Sequence, residues 1–565
     1  MCSGSVDLRL RCYNKLSFLM RTNLLHTTAI VLILAGEYKF LRQRPIIYKY
    51  KLIIISFWFL ITTAGCGHNH ADFSLSAVSS MVRVPLEPGR PVKASDTARI
   101  SAAGGEYESF QVLVSAGDSA ALTGVCWEAG NLTGDSGSID AKHIQINPVG
   151  YVQTTVISEY YPSSPGWWAD PLLHLDSLSI PAGERQPLWV TIFVPRGTPS
   201  GTYHGTVRIS TANAGSSSIP FELRVWGFDI PCRPSIKTLT WVSTLRDFGG
   251  NSRENRKALY ELLLEHRLGP GGNMELDEEM LGFCMQRGMN AFLLDNIPNL
   301  KRIKQDSYSQ GYKDSLQAEL DDYVKKFGPR GWLDGMAYVY NYDEVDRDHW
   351  PLAKDMYRLV KSVSSDLKVI QCLNIPEGVE ALAGYADTWD VYVAQYKESG
   401  VAQRVTEGDE AWLAVCCYPS VRPNFFLEYP VIDGRIIGWI CYHTGVTGFE
   451  YWSPNHWDGN NSPPELRGKW KANTFSNYNG DGYLTYPGPD MHPLSSLRLE
   501  NLRDGFEDYE YLYLLKELEG DTALTQLTQQ VVSAPTEYSS NPELLYHIRE
   551  KIARRIEQIT DYEKH

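Results

Sequence analysis

The sequence lacks a surplus of positive charge, and it also lacks the Cys-x-x-Cys and His-x-x-x-His pairs typical of zinc sites. Its 565 residues carry 53 Lys and Arg against 67 Asp and Glu, a net charge of −14. Without residues 1–65 the balance becomes 44 against 65. Nucleic-acid binding depends on a concentrated basic surface, so we expect no nucleic-acid partner. The seven cysteines after residue 66 are irregularly spaced, and no Cys-x-x-Cys or His-x-x-x-His pattern predicts a metal site.

The chain also lacks a comfortable transmembrane run near its start. Two apolar stretches, Leu24–Ala35 and Leu52–Ala64, are shorter than the roughly 20 residues that a spanning helix needs. The second follows basic residues and ends in small residues before Cys66, as in a bacterial lipoprotein signal in which Cys66 is lipidated. Thr63 stands where such signals usually have Leu, and an ordinary signal peptide is the alternative. We expect residues 1–65 to be this signal, or an extension before the true start, and the protein to be lipid-anchored in the bacterial cell envelope, at the outer membrane and periplasm or on the cell surface.

Aromatic residues are abundant. The chain has 15 Trp, 33 Tyr and 18 Phe, which together make up 12% of it. Large rings enlarge a buried core, but they also line carbohydrate clefts, because the weakly polar faces of sugars stack on aromatic planes. Composition alone leaves both interpretations open.

The pattern along the chain predicts an α/β protein with two main domains. Residues 73–232 consist of short β-branched and aromatic runs separated by Gly, Pro, Ser and Asp, which predicts an antiparallel β-sandwich. From residue 235 to residue 520, strand-like and helix-like segments alternate, which predicts a (β/α)8 TIM-like barrel. A helical tail is expected over residues 521–565. The candidate barrel strands are Lys237–Ser243, Asn290–Asp295, Met336–Tyr342, Lys368–Leu373, Trp389–Gln395, Trp412–Tyr418, Thr447–Trp452 and Gly482–Tyr486.

Asp343 and Glu344 close the candidate strand Met336–Tyr342. Catalytic groups of such barrels stand at the carboxyl ends of the strands. Strand alternation places Asn341 and Asp343 on one face and Glu344 on the other. At the strand end this alternation relaxes, so Asp343 can point into the opening of the barrel while Glu344 lies at its rim. The alternative is a solvated acidic loop that caps the next helix.

The adjacency of these two carboxyl groups favours one mechanism of glycoside hydrolysis. Common glycosidases place two carboxyl groups on opposite sides of the scissile bond, about 5 Å or more apart, which is awkward for neighbouring residues. In substrate-assisted hydrolysis the sugar's own 2-acetamido oxygen attacks the anomeric carbon. Glu344 would then protonate the leaving oxygen and later deprotonate water, while Asp343 would orient the acetamido N–H and stabilise the developing charge.

Other candidate contacts come from neighbouring strand ends. Tyr418 and Trp452 each end a candidate strand. Either side chain could line the pocket for the acetamido group or stack against the sugar ring. The alternative is that both pack beneath the loops. Asn341 could bind the sugar or hold Asp343 in position.

On the predicted helix from residue 497, Arg503 and Glu507 have the i, i+4 spacing of a structural ion pair.

Several long motifs resemble those of glycoside hydrolase family 123. The C-terminal signature is the most specific of them, and motifs in both predicted domains extend the resemblance from about residue 73 to residue 520. The motifs are Glu106–Gln111, Leu188–Val190, Gly201–Gly205, Arg435–Trp439, Gly448–Trp452, Gly480–Gly488 and Ser496–Leu512.

This resemblance implies a function and a catalytic pair. Characterised members are β-N-acetylgalactosaminidases that retain configuration by substrate assistance and need no cofactor, and their adjacent Asp and Glu match Asp343 and Glu344. Val345 follows the pair here, where Pro is frequent in the family. The expected activity is removal of a terminal β-linked N-acetylhexosamine, most simply GalNAc, from a glycan. The alternatives are a glycosidase of the same fold that acts on another sugar, and an inactive carbohydrate-binding lipoprotein.

Overall fold

The computed structural model describes residues 71–87, 89–156, 165–457, 459, 465–475, 477–489 and 492–562. These residues belong to one compact unit. The predicted signal, with Cys66, lies outside the described residues. Within the described ranges, every helix is too short or too polar to span a membrane.

Two β-sheets form the first part of this unit. The strands are β1 (Phe73–Ser79), β2 (Ala98–Gly104), β3 (Glu106–Ala116), β4 (Leu122–Ala129), β5 (Leu132–Gly134), β6 (Gly137–Ile139), β7 (Ile144–Gln153), β8 (Trp167–Leu172), β9 (Leu178–Ile180), β10 (Arg185–Val194), β11 (Gly201–Thr211) and β12 (Gly215–Asp229). The first sheet runs β1-β3-β10-β7, with β8 also paired to β7. The second runs β2-β12-β11-β4-β9, with β5 paired to β11 and β6 paired to β5.

The two sheets share one apolar core. Because side chains alternate along a strand, Val112 and Leu188 of the first sheet face Val207 and Leu223 of the second, and all four are fully buried. Most strand pairs are antiparallel, as the sequence predicts, but β2 pairs with β12 in parallel. The prediction of a purely antiparallel sandwich is therefore wrong at this pair, because local patterns give strands but not the direction of distant partners.

Parallel strands and helices alternate in the next part of the chain. In order they are β13 (Lys237–Thr240), α1 (Arg253–Glu265), α2 (Glu278–Met285), β14 (Phe292–Asn296), α3 (Gln310–Phe327), β15 (Ala337–Asn341), α4 (Trp350–Val363), β16 (Lys368–Leu373), α5 (Gly378–Ala381), β17 (Thr388–Tyr392), α6 (Val401–Thr406), β18 (Glu410–Val415), α7 (Ile432–Thr444) and β19 (Gly448–Tyr451). The seven strands form one sheet in the order β13-β19-β18-β17-β16-β15-β14, and each pair is parallel. All residues of β15 and β17 are buried, as expected for strands covered on both faces.

A glycine-rich segment, residues 269–272, lies between the two edge strands of this sheet. The Gly272 N–H donates to the carbonyl oxygen of Thr240 in β13 at 3.0 Å, and the Leu293 N–H of β14 donates to the carbonyl oxygen of Gly271 at 3.0 Å. A Cβ atom at Gly271 would overlap the carbonyl oxygen of Ala291, so this close approach requires glycine. Residues 269–272 are therefore hydrogen-bonded to both edge strands, β13 and β14, and the seven-stranded barrel is nearly closed.

Seven of the eight strands predicted for the barrel are present. The eighth, Gly482–Tyr486, is wrong: this stretch makes only isolated bridges at Tyr483 and Tyr486. Tyr483, Leu484 and Tyr486 are fully buried, so their apolar character reflects burial in a connection rather than strand pairing.

The chain ends in helices that pack on both halves of the unit. The remaining elements are β20 (Arg467–Gly468), α8 (Leu497–Glu519), α9 (Asp521–Thr528), β21 (Val532–Ala534), β22 (Glu537–Tyr538) and α10 (Pro542–Tyr562). Ser496 caps α8, because its hydroxyl accepts the N–H of Leu499. Strand β20 pairs with β7 of the sandwich, and α10 contacts both α8 and β12. The segment predicted as a tail is thus part of the packed unit.

Buried ion pairs join the sandwich to these helices. Arg435 of α7 lies 3.1 Å from Glu108 of β3 and 2.8 Å from Asp508 of α8. Arg549 of α10 contacts Glu106 of β3 as well as Asp508. All five side chains are at most 1% exposed, so the charges are compensated within the protein rather than by water.

Arg503 takes part in the same buried region. It lies 2.7 Å from Glu500, 2.8 Å from Asp504 and 3.9 Å from Glu507. The predicted Arg503–Glu507 pair is therefore confirmed, although it is the longest of the three contacts. Its structural role follows from burial, since the Arg503 side chain is 2% exposed.

Candidate active site

A cavity of 920 Å³ opens at the carboxyl ends of the barrel strands. Its walls come from most of the strands and from the loop that follows β14. The lining residues include Trp241 after β13, Arg302 in that loop, Asp343 and Glu344 after β15, Tyr392 of β17, Tyr418 after β18, and Glu450 and Trp452 at the end of β19. In barrels of this type the loops at this end carry the chemistry.

The backbone at the end of β15 is twisted out of the strand conformation. Tyr342 and Glu344 have φ values of 32° and 50°, a region that residues with a side chain rarely adopt. The strict alternation of side chains therefore stops at Asn341, and both Asp343 and Glu344 face the cavity. The sequence prediction of two carboxyl groups at the barrel mouth agrees with this placement.

Asn341 lies on the other side of the strand from the cavity. Its side chain is fully buried and donates to the carbonyl oxygen of Ala353 in α4 at 3.1 Å and to Gln371 Oε1 of β16 at 3.2 Å. The predicted shared face of Asn341 and Asp343 is wrong, because the positive φ of Tyr342 separates them. In this position Asn341 ties β15 to its neighbours and does not line the cavity.

Arg302 connects the two cavity carboxylates. One terminal nitrogen of its guanidinium donates to Asp343 and the other donates to Glu344 Oε2 at 2.8 Å. Tyr392 donates to the second oxygen of Glu344 at 2.8 Å, and Asn299 donates to the main-chain oxygen of Asp343 at 2.7 Å. Because one planar cation serves both carboxylates, they lie side by side and do not face each other across the cavity.

The environment of Asp343 disfavours its charged form. Desolvation raises the pKa of Asp343 above its ordinary value, and the Glu344 charge raises it further, while Arg302 opposes both effects. The charge state of this carboxyl group therefore depends directly on the guanidinium beside it.

Two further carboxyl groups lie deeper in the barrel. Glu450 of β19 lines the cavity and is 5% exposed, and Asp390 of β17 is fully buried with Tyr340 donating to it at 3.2 Å. One oxygen of each has no hydrogen-bond partner within the described part of the chain. Burial raises the pKa of Asp390 to about 7, and burial together with the charges of Asp390 and Asp343 raises the pKa of Glu450 well above its ordinary value.

Aromatic side chains surround the carboxyl groups. Trp452 donates to Asp481 at 3.1 Å and packs against Phe475 with ring centroids 4.7 Å apart. Tyr418 is 66% exposed and lines the cavity, and Trp241 meets Tyr340 edge to face at 5.0 Å. Tyr418 and Trp452 thus stand on the cavity wall, and their contact with a sugar stays a prediction.

The sequence pattern missed Arg302, Tyr392 and Glu450. Arg302 belongs to a loop without a regular pattern, and Tyr392 and Glu450 sit inside apolar strand runs that resemble core sequence. A charged residue within the buried run Gly448–Tyr451 was the one available signal. In the described residues, no group of three or more His, Cys, Asp or Glu side chains could hold a metal ion.

A parallel barrel with paired carboxyl groups and aromatic rings at its strand ends is an arrangement of enzymes that cleave carbohydrates. Two family models match the chain: "Glycoside hydrolase 123, catalytic domain" over residues 280–515 and "Glycoside hydrolase 123 N-terminal domain" over residues 86–211. The chain belongs to glycoside hydrolase family 123, and it is a glycoside hydrolase of carbohydrate metabolism.

The chain is also similar to solved structures, and the first of these shares its fold. A family 123 glycoside hydrolase from Clostridium perfringens, described for glycolipid glycan hydrolysis, matches with a TM-score of 0.62 at 15% identity over 87% of this chain and 98% of that chain. A family 39 glycoside hydrolase from Bacteroides cellulosilyticus matches with a TM-score of 0.33 at 11% identity over 74% of this chain and 82% of that chain. The search of curated protein sequences gave no match.

Proposed function

We propose that this hydrolase removes a terminal β-linked N-acetylhexosamine, GalNAc in particular, from glycans by substrate-assisted retaining catalysis. The observation that supports this proposal is the side-by-side placement of Asp343 and Glu344, which share the Arg302 guanidinium. Two carboxylates that flank a scissile bond need the sugar between them, whereas neighbouring carboxylates can act on adjacent groups of one sugar. The preference for GalNAc rests on the family resemblance.

In this mechanism Glu344 donates its proton to the glycosidic oxygen while the 2-acetamido oxygen attacks C1, so that the bond to the leaving group breaks as an oxazolinium ring forms. Asp343 accepts a hydrogen bond from the acetamido N–H and stabilises the positive charge that develops there. Water then attacks C1, Glu344 takes its proton, and the ring opens to the β-configured sugar. The acetamido N–H would replace the Arg302 donor at Asp343.

A panel of aryl glycosides tests the mechanism. We expect the protein to cleave aryl β-GalNAc and to leave aryl β-galactoside intact, because the latter has no acetamido group. Glu344→Gln should lower kcat by about 100-fold or more, with the largest loss for poor leaving groups, while Glu222→Gln on the exposed sandwich surface should behave as wild type. Cleavage of the plain galactoside at a comparable rate would rule out substrate assistance, and full activity of Glu344→Gln would reject the acid/base role.

We also propose that the protein is a lipoprotein of the cell envelope. The support is the sequence Thr62-Thr63-Ala64-Gly65-Cys66 after an apolar run, which places small residues directly before a cysteine. Wild-type protein made in a bacterial host should partition with membranes, and Cys66→Ala should not. A Cys66→Ala protein that still partitions with membranes would contradict lipidation.

For the barrel itself, we propose that residues 269–272 take the place of one strand in a (β/α)8 arrangement. Its hydrogen bonds to Thr240 and Leu293 join the two edge strands in the way an intervening strand would. An experimental structure in which this segment contacts only one edge strand would contradict the proposal.

A further inference from the structure

Glu450 is a carboxyl group inside the catalytic cavity for which the mechanism above has no task. It is the third residue of β19, lines the cavity, and is 5% exposed. Its Oε1 atom has no hydrogen-bond partner within the described residues. Buried polar groups are nearly always paired, so an unpaired carboxyl oxygen at a cavity wall is a binding position for a polar group that enters the cavity.

The strand order places Glu450 opposite the catalytic pair. Three strands, β16, β17 and β18, separate β15 from β19 on one side. On the other side β14, residues 269–272 and β13 lie between them. Asp343 and Glu344 at the end of β15 and Glu450 on β19 therefore face each other across the nearly closed barrel.

This opposition determines which part of a sugar reaches Glu450. If Glu344 serves the oxygen on C1 and Asp343 the acetamido group on C2, the C1–C2 edge of the pyranose ring lies against the end of β15. Across a six-membered ring, C4 is opposite C1. We propose that Glu450 is a specificity-determining residue that binds the hydroxyl group on C4 of the terminal sugar. The proposal rests on the proposed function, which supplies the orientation of the ring.

The protonation state of Glu450 suits a hydroxyl partner. Desolvation and the charges of Asp390 and Asp343 hold the pKa of Glu450 well above its ordinary value, and a side-chain hydrogen bond from Trp241 opposes them. These effects favour the protonated carboxyl group, which offers one O–H donor and one acceptor. A sugar hydroxyl has the same two capacities, so both can be satisfied at once. GalNAc and GlcNAc differ only in the direction of this hydroxyl, which gives Glu450 the means to distinguish them.

Deoxy substrates test this assignment without any change to the protein. We expect wild-type enzyme to lose roughly 10- to 100-fold in kcat/KM when the C4 hydroxyl of aryl β-GalNAc is removed, because the Glu450 carboxyl group is then left unpaired. Removal of the C6 hydroxyl serves as the matched control and should cost much less. Equal turnover of the 4-deoxy and parent substrates would overturn the proposal, even in an enzyme that is fully active.

Variants of Glu450 complete the test as a double-mutant cycle. Glu450→Leu should lower kcat/KM for the parent substrate and abolish the penalty for the 4-deoxy analogue. Glu450→Gln keeps a donor and an acceptor in nearly the same shape, so it should retain most of the discrimination. If the losses from Glu450→Leu and from 4-deoxygenation are simply additive, the two groups do not interact and the proposal is wrong.

The two proposals fail at different measurements. Substrate assistance fails if plain galactosides are cleaved at a comparable rate, and the C4 assignment fails on the deoxy series, which can be run on whichever glycoside is cleaved. Should Glu450→Leu not fold, the wild-type deoxy series and Glu450→Gln still decide the matter. Thermal unfolding of each variant identifies that case.

Discussion

Arg302 affects the charge of Asp343, and its guanidinium donates to both Asp343 and Glu344. Its charge lowers the pKa of Asp343, which burial raises. In the proposed mechanism Asp343 is ionised when it accepts the acetamido N–H, so activity should be lost as the pH falls through the pKa of Asp343. Arg302→Met removes the opposing charge, and the pKa of Asp343 should rise further. The acidic limb of the kcat/KM profile should therefore move to higher pH.

The control for this experiment is Arg347→Met. Arg347 pairs with Glu377 at 3.0 Å on the exposed surface close to the same strand end, so its loss should leave the pH profile unchanged. An acidic limb that stays in place, or moves to lower pH, in Arg302→Met would contradict the assignment of Asp343 as the group titrated there.

At the scale of single residues, the sequence predicts the position of the catalytic pair but not its surroundings. Asp343 and Glu344 could be found because they end an apolar run and match a family motif. Arg302 reaches them from another loop, and Glu450 from a strand that follows more than 100 residues later. Strand alternation predicts that Asn341 and Asp343 share a face, but the positive φ of Tyr342 turns their side chains to different sides. This backbone conformation cannot be read from the residue pattern.

Helices α7 and α8 cross at a pair of glycines. A Cβ atom at Gly505 would overlap the carbonyl oxygen of Arg435, and one at Gly438 would overlap the carbonyl oxygen of Gly505. Gly505→Ala should therefore lower the free energy of unfolding by about 1–3 kcal/mol through overpacking, even though alanine favours helix. Denaturant unfolding measures this loss.

Gly282 provides the matched comparison within α2. No atom lies within 4 Å of a Cβ built there, so Gly282→Ala should raise the free energy of unfolding by roughly 0.5–1 kcal/mol. If both alanine variants gain stability, the close approach of α7 and α8 does not constrain the fold.

At the scale of elements, periodicity located helices and strands well and failed at glycine-rich backbone. The predicted strand Lys368–Leu373 and the predicted helix from residue 497 to about residue 519 coincide with β16 and α8. Residues 269–272 were missed, because Gly269-Pro270-Gly271-Gly272 has no side-chain pattern of a strand and pairs only through its main chain. The apolar pattern of Gly482–Tyr486 predicts a strand, because burial in a loop and burial in a sheet require the same apolar residues.

The buried ion pairs act on the whole unit. Arg549→Met would leave Glu106 of the sandwich without its arginine partner and Asp508 with Arg435 as its remaining arginine. Uncompensated buried charge costs about 3–5 kcal/mol, so we expect a large fall in Tm. Arg554→Met, five residues later on the same helix, removes only an exposed pair with Glu550 and should change Tm little. Equal Tm values for the two variants would show that the buried pairs do not hold the helix.

The free energy of unfolding should also fall as the pH rises over the neutral range. Burial raises the pKa of Asp481 to about 6 and the pKa of Asp390 to about 7, and neither group has an ion-pair partner in the described residues. Both carboxyl groups keep their protons in the folded state at pH values where the unfolded chain has released them, so their contribution to stability is lost as the pH rises through about 6 to 7. Tm should therefore be higher at pH 5.5 than at pH 8.5. A Tm that rises over this interval would contradict these protonation states.

The short pairing of β20 with β7 has a consequence for combining domains from different members of this family. After completing the barrel, the chain returns to the sandwich, where Arg467–Gly468 extends the first sheet and Ser495 accepts the Leu172 N–H at 2.9 Å. If the sandwich were separated from the rest of the chain at the linker near residue 233, the edge of β7 would be exposed. Glu106 and Glu108 would also lose their partners Arg549 and Arg435. The two halves are thus not exchangeable modules, and chimaeras that combine the sandwich of one family member with the barrel of another should fold only when the complementary charges are transferred together.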